Sequence, residues 1–452
     1  MPRLLAAAVL LALLPAAAPI EAAQPIGWDY VVRFDPDLKR AHVRCCFRGY
    51  IPKRLVGAGP EVMPAYTFHQ GGGDAHLTKR ADGSLIPVGL GRGRMCVRWT
   101  VDLDRAGALA PRRHVNVWRV GRDLLVSPVI VLLRPYMWPL AGHVTVRLEL
   151  PEGMSALVPW PATHGANTYN LDPQCTNCLG RMAVGRFQVD RARVAGTDLE
   201  LAILDRPLRA SPAGIRRWVH AAAGAVANLY GRFPAPKLAV MVQAWPGRSP
   251  PVIFGMAMRG GGAHAILYPA GAASDEELVG EWVGVHELTH VGMPWTPEDD
   301  AWLQEGFVTY YQEVLRARAG MIDERQAWQN MEEGFGRGRR RGGRRPLVQE
   351  SVTMGREHNY HRVYWAGAAM AMQIDVALRR ASGGRQSLDD VMRWWHAHRG
   401  GAVRAYAGLD LLRDAERALG QSVASPIAER ILASKAVPDM RATYAALGIR
   451  VV

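Results

Sequence analysis

Two textures of hydrophobic patterning divide the chain. From Trp28 to about Asp205, apolar residues come in short runs that alternate with polar ones or are rich in β-branched side chains, with Gly, Pro and Asp between them. Residues 28–34 (Trp-Asp-Tyr-Val-Val-Arg-Phe), 95–103, 144–150 and 199–204 are of this kind. A period of two puts one set of side chains on a core face, and many such runs separated by turns predict an all-β domain, a sandwich. Gly71-Gly72-Gly73 and the Gly/Arg stretch 89–94 read as loops. Near Ser211-Pro212 the period changes. Residues 213–230 carry apolar positions at helical spacing, Phe233-Pro234-Ala235-Pro236 ends that helix, and extended runs follow at 238–242, 252–256 and 263–268. Ser274-Asp275-Glu276-Glu277 is expected to cap a long helix running on to His290. Beyond Ala301 the pattern is helical almost to the end, with breaks expected at 334–346 and at Pro426, and no internal repeat is visible.

These textures predict an α+β multidomain chain: an N-terminal β-sandwich over 24–205, a central α/β unit over 206–320 and a C-terminal α-helical domain over 321–452. Composition agrees, since 452 residues with 49% apolar and 21% charged can bury a large core. The formal charge of +14 invites a nucleic-acid reading. Against it, only five of the 55 basic residues are Lys, and the Arg are spread along the whole chain. The one dense run, 337–345, lacks the interleaved aromatics that stack on bases and reads as a solvated loop between helices. No nucleic-acid partner is expected.

The first 23 residues have a different character. Arg3 precedes an apolar run of eleven residues, Leu4 to Leu14, too short to span a bilayer, and small residues follow to Ala23. This is the pattern of a signal peptide, so a secreted or periplasmic location is expected. No later stretch reaches membrane-spanning length without a charge or Pro. Five Cys fit an oxidising compartment without forming a dense framework. Adjacent Cys45 and Cys46 point to opposite faces of a strand, so at most one of them suits Cys96. Cys175-x-x-Cys178 has no second pair to complete a zinc site, which favours a loop disulfide or free thiols.

His286-Glu287-Leu288-Thr289-His290 carries the chemistry. On a helix the two His lie one turn apart on one face, so both imidazoles can reach one Zn²⁺, and Glu287 projects beside it where it can take a proton from water. A third ligand is needed. Glu298, Asp299, Asp300 and Glu305 are available, and of these Glu305 sits in a helical frame with apolar neighbours.

The surrounding residues resemble a known family. Trp302-Leu-Gln-Glu-Gly-Phe-Val-Thr-Tyr-Tyr311 is similar to the second zinc helix of gluzincin metallopeptidases, of the glycyl-aminopeptidase type and more distantly of aminopeptidase N. The resemblance implies a thermolysin-like catalytic domain, one Zn²⁺ per chain held by His286, His290 and Glu305, and Glu287 as general base. Only fourteen residues separate His290 from Glu305, so the intervening loop must be tight. Tyr364-Trp365-Ala366-Gly367 looks like the family's Tyr-x-Lys-Gly element with Ala366 in place of Lys, and implies Tyr364 as the donor to the oxyanion. Tyr360, His358 and His361 are rival donors. Gly255, Met256, Ala257 and Met258 occupy the strand that runs beside the substrate in these enzymes. The carboxylate that holds the substrate's α-amine in aminopeptidase N relatives is missing from it, and the cationic Arg259 follows. No counterpart of the family's usual PDZ module is expected after the helical residues.

The function implied is a zinc-dependent peptidase acting on peptide or protein substrates outside the cytoplasm. A non-peptide zinc hydrolase of the same fold and a non-catalytic envelope binding protein are the alternatives. Exo- or endopeptidase action and oligomeric state are not legible in these residues.

Overall fold

The computed structural model of the chain describes residues 26–450 except 71–73, 89–93, 111–115, 138–141, 174–179, 259–260, 342 and 402–403. The leader, the triple glycine, Cys175, Cys178 and Arg259 therefore lie outside the described residues.

The first run becomes the strand Gly27–Phe34, with Trp28, Tyr30, Val32 and Phe34 turned into the core. It sits inside a six-stranded sheet, parallel to His143–Glu149 and antiparallel to Arg40–Arg48, with Arg94–Asp102, Tyr66–His69 and Thr168–Leu171 completing the order. Two four-stranded sheets share its hydrophobic core. One is built on Leu55–Val56, His76–Lys79, Leu85–Val88 and Arg134–Pro135. The other is built on Val117–Val120, Asp123–Val126, Ser155–Leu157 and Met182–Gly185. In the large sheet Cys46 lies directly opposite Cys96 and is bonded to it, while Cys45, one residue away and on the other face, is a buried free thiol.

The second small sheet is buried on both faces, which is why its strands read as unbroken apolar runs. Leu124, Val126, Met182 and Val184 face the sandwich core. The alternate residues Leu125, Leu157 and Ala183 face a second sheet across an apolar seam. That second sheet has five strands in the order Val189–Val194, Thr197–Ile203, Lys237–Val242, Ala263–Pro269, Val252–Met258. Its first two strands come from the stretch that the pattern alone groups with the sandwich. Thr197–Ile203 runs parallel to Lys237–Val242, and the crossover between them is the helix Pro212–Tyr230, capped by Ser211 and ended by Gly231 at φ 79°. Ala202, Ala239, Met241 and Ile266 look into the seam, and Leu201, Leu238, Val240 and Leu267 look into the helical core on the other side.

Three helix boundaries differ from expectation. The capping box at Ser274 and Glu277 is present, but its helix stops at Leu278 and a separate helix, Val283–His290, carries the motif. Between them the Gly280 carbonyl accepts from Arg316 Nη1 (2.6 Å), and Glu281 Oε2 accepts from the Val283 N–H (2.6 Å), which starts the new helix. Gly334, Gly336 and Gly338 lie inside the helix Glu324–Arg340, not in a loop. Gly334 and Gly338 keep one face flat for Trp365: a Cβ on Gly334 would stand 2.2 Å from its ring, and one on Gly338 3.0 Å from its Cβ. Arg337 to Arg340 form the last turn of this helix, with Arg337 5.1 Å over Trp365. Pro426 lies in the first turn of Ala424–Leu432, where a missing N–H breaks no helical bond. Among the described residues no helix is long and apolar enough to cross a membrane.

The two sheets that meet at the seam are pinned by His264, which is fully buried there. Its Nδ1 donates to the Gly262 carbonyl (2.9 Å), and its Nε2 accepts the N–H of Arg181 (3.0 Å), the residue that leads into Met182–Gly185. Burial lowers its pKa from 6.5 to about 4. Between those values the unfolded chain binds the extra proton, so stability falls as pH drops from 6.5 toward 4 and is complete above 6.5. This histidine should account for a loss of about 3 kcal/mol over that window. Denaturant titrations at pH 7 and pH 4.5 measure it, and a slope unchanged in His264→Asn would refute the assignment.

Candidate metal centre

The site is assembled from the edge of the five-stranded sheet and three helices. Val283–His290 lies against the edge strand so closely that a Cβ on Gly255 would stand 2.5 Å from Glu287 Cγ. On its other side Gly284 fits against Trp218 and Ala222 of the crossover helix. The motif helix is thus held from both sides, with His286 and His290 facing the helix Ala301–Arg318. Glu305 Oε2 lies 3.2 Å from His286 Nε2 and 3.4 Å from His290 Nε2. Donors about 2.0–2.1 Å from a tetrahedral zinc stand roughly 3.3–3.4 Å from one another, so the two nitrogens and this oxygen fit that ion. Among the described residues these three form the one group of His, Cys, Asp or Glu suited to a metal.

The rival carboxylates go elsewhere. Glu298 to Asp300 make the tight turn that the short interval demanded. Asp300 accepts from Trp302 Nε1 (2.9 Å) and the Gly408 N–H (2.7 Å), and the Asp299 carbonyl accepts from Ser351 (2.6 Å). Glu298 lines the cleft without joining the triad.

Behind the centre lies a chain of polar contacts. His286 Nδ1 donates to Gln312 Oε1 (2.8 Å), whose amide donates to Glu313 Oε1 (2.9 Å). Asn330 (2.8 Å) and Arg316 hold the other oxygen of Glu313. Every group in this buried chain is fixed by the next, so Gln312 presents only its carbonyl oxygen to His286 and Nε2 is left free of its proton for a metal. Burial works against the charge of Glu305, yet the imidazoles of His290 and His286 more than offset it and hold its carboxyl well below the usual range. Glu287 is the opposite case: burial raises its pKa, and Oε2 accepts the Ala257 N–H (2.8 Å).

Tyr364 arrives from the helix Tyr360–Ala381. This helix crosses Ala301–Arg318 at Gly306 and Gly367 with no side chain between them: a Cβ on Gly306 would lie 2.4 Å from the Gly367 Cα. Glu305 and Tyr364 flank that crossing. The Tyr364 ring stacks on His286 at 5.9 Å, and burial followed by the charge of Glu305 raises its pKa well above 10, so the hydroxyl stays a donor. Tyr360 is exposed with its ring edge-on to Tyr364, while His358 and His361 are exposed. None of these rivals lines the cleft.

The cleft holds about 460 Å³ and is lined by Glu287, His290, Glu305 and Tyr364 together with Gly255, Met256 and Ala257 of the edge strand. Met258 is a correction: it turns into the seam between the sheets and is no part of the cleft wall. Gln312, one helical turn past Thr309 on the Glu305 helix, is the contributor that sequence reasoning missed. Its spacing of seven from Glu305, on the same helix face, was the available signal.

The profile of the family described as M61 glycyl aminopeptidase matches residues 295–374, the stretch with Glu305 and Tyr364. No curated protein matches the chain. Among solved structures, an aminopeptidase N family protein from Idiomarina loihiensis is similar with a TM-score of 0.71 at 13% identity, over 93% of this chain and 78% of that one. An M1 zinc metallopeptidase from Deinococcus radiodurans gives 0.56 at 15% identity, over 92% and 94%. A mutant M1 zinc metallopeptidase from the same organism, bound to a Tyr-Ser-Ala substrate, gives 0.57 at 16%, over 92% and 96%. At such identities the likeness is one of fold, a multidomain α+β architecture. The family match and the fold together support a zinc metallopeptidase similar to the gluzincins of glycyl-aminopeptidase type.

Because Gln312 sets the tautomer of His286, Gln312→Leu should weaken zinc binding about 10- to 100-fold. Competition with a chromophoric chelator reads the affinity, and an unchanged value would show that the contact does not orient the ligand.

Proposed function

We propose that the protein hydrolyses peptide bonds, with one zinc ion held by His286, His290 and Glu305, Glu287 as general base and Tyr364 as oxyanion donor. The observation that carries this reading is the convergence of Glu305 on both imidazoles, at 3.2 and 3.4 Å, directly beside the half-buried carboxylate of Glu287, which no metal geometry requires. Zinc in that position supplies polarisation of the scissile carbonyl and a lowered pKa for water. Everything else falls to the protein. Glu287, steadied on one oxygen by Ala257, takes the proton of the attacking water and passes it to the leaving amine. Tyr364, kept protonated by burial, donates to the oxygen that gains charge. The strand Val252–Met258 ends its sheet, so its outer edge can pair with an extended peptide except at the Ala257 N–H, which Glu287 holds.

A place outside the cytoplasm is part of the proposal. The apolar leader supports it, and so does the Cys46–Cys96 pair, since such bonds persist in oxidising compartments.

Metal analysis should find one zinc per chain, lost on chelation together with activity. Glu287→Gln should keep the zinc and lose about 10²- to 10⁴-fold in kcat, whereas Tyr364→Phe should lower kcat about 10²- to 10³-fold with little change in KM. Full activity in Glu287→Gln would end this mechanism. The edge strand has no carboxylate to hold an α-amine, so peptides with free and with acetylated N-termini should be cleaved at similar rates. Cleavage confined to free N-termini would show that an amine anchor exists elsewhere in the cleft.

A further inference from the structure

We propose that the cleft selects peptides with a bulky apolar side chain, aromatic or branched, next to the scissile bond. This inference rests on the metallopeptidase reading and narrows its substrate. Large apolar side chains exposed singly are ordinary, but a contiguous group marks a binding surface. Phe254 (53% exposed), Trp295 (37%) and Val352 (55%) come from three separate elements, the edge strand, the turn after His290 and the helix Leu347–Glu357. All three line the same cleft as Glu287, Glu305 and Tyr364, and Met256 and Met354 stand with them. The apolar rim continues on both sides. Trp245, also exposed, packs edge-on against Tyr268, whose ring in turn meets Phe254 at 5.9 Å. Exposed Val348 lies one turn before Val352 on the same helix face.

Charge points the same way. Among the described residues no Lys or Arg lines the cleft, and once Glu305 and His290 are counted as ligands the charged groups among them are the carboxylates Glu287 and Glu298. An acidic side chain would be repelled there, and glycine or alanine would leave Phe254, Trp295 and Val352 facing water. Space is available for a large group. A Cβ on Gly355, which lines the cleft, would meet nothing within 4 Å, and about 460 Å³ is in the range of sites that enclose small ligands.

The test uses the zinc-loaded full chain and a peptide library varied at the residues on either side of the cleaved bond. Phe, Leu or Trp at one of these positions should give kcat/KM about tenfold or more above Ala, Gly, Asp or Glu. Gly355→Leu fills the space, so the Phe-to-Ala rate ratio should fall about tenfold, and Phe254→Ala should raise KM for the Phe peptide more than it lowers kcat. Circular dichroism and zinc content confirm that each variant is folded. Equal rates across the library, or a preference for small or acidic residues, would overturn the pocket and leave the peptidase reading standing. Failure to cleave any peptide would overturn that reading instead. In that event, binding of the Phe, Ala and Asp forms of one peptide to zinc-loaded Glu287→Gln protein, followed by tryptophan fluorescence, still decides the pocket: tighter binding of the Phe form supports it, and equal affinity refutes it.

Discussion

The backbone contact between Gly306 and Gly367 is the constraint on which the rest of the centre depends. Two helices, Ala301–Arg318 and Tyr360–Ala381, touch main chain to main chain there, because neither position carries a side chain to hold them apart. Glu305 precedes one glycine and Tyr364 lies one turn before the other, so a carboxylate and a phenol some sixty residues apart in sequence share one small volume. Close packing transmits any change at the crossing directly to both groups. A further tie fixes the two helices in rotation as well as distance, since Tyr310 donates to Asp375 (2.9 Å), and Tyr311 anchors the first of them to Asp389 (2.9 Å) of the next helix, Leu388–Arg399.

On the other side of the metal position the constraint is again a missing side chain. Gly255 lets the edge strand approach the motif helix until the Ala257 N–H reaches Glu287. Glu287 is therefore attached to the sheet, the sheet to the sandwich through the apolar seam and His264, and His286 to the helical core through Gln312, Glu313 and Arg316. A centre fixed from two directions needs little rearrangement when charge develops on a substrate, which is what electrostatic stabilisation requires.

Much of this was legible in the residues and some was not, for physical reasons. Strand and helix periods marked Gly27–Phe34, His143–Glu149 and Pro212–Tyr230 to within a residue or two, since one buried face leaves a regular pattern. The spacing of His286 and His290 carried the metal chemistry because a single turn of helix fixes it. What depends on tertiary partners was hidden. Gly334 and Gly338 read as a break until Trp365 is seen to lie on them, and Val189–Val194 and Thr197–Ile203 alternate like sandwich strands although their partners come from the next sheet. The helix after Ser274 ends where Arg316, thirty-six residues on, takes the Gly280 carbonyl. Met258 follows the cleft residues in sequence, but at the end of its strand it faces the seam.

The bond between Ala257 and Glu287 also marks the edge strand. A backbone N–H occupied by a carboxylate cannot donate to a peptide laid along the strand, so a ladder built on this edge has one rung missing beside the reacting bond. A chain paired along this edge would lack its bond at Ala257. The contact that steadies Glu287 thus leaves a gap in the edge at one fixed residue, a mark on the strand set by main chain and independent of the side chains that a partner would bring.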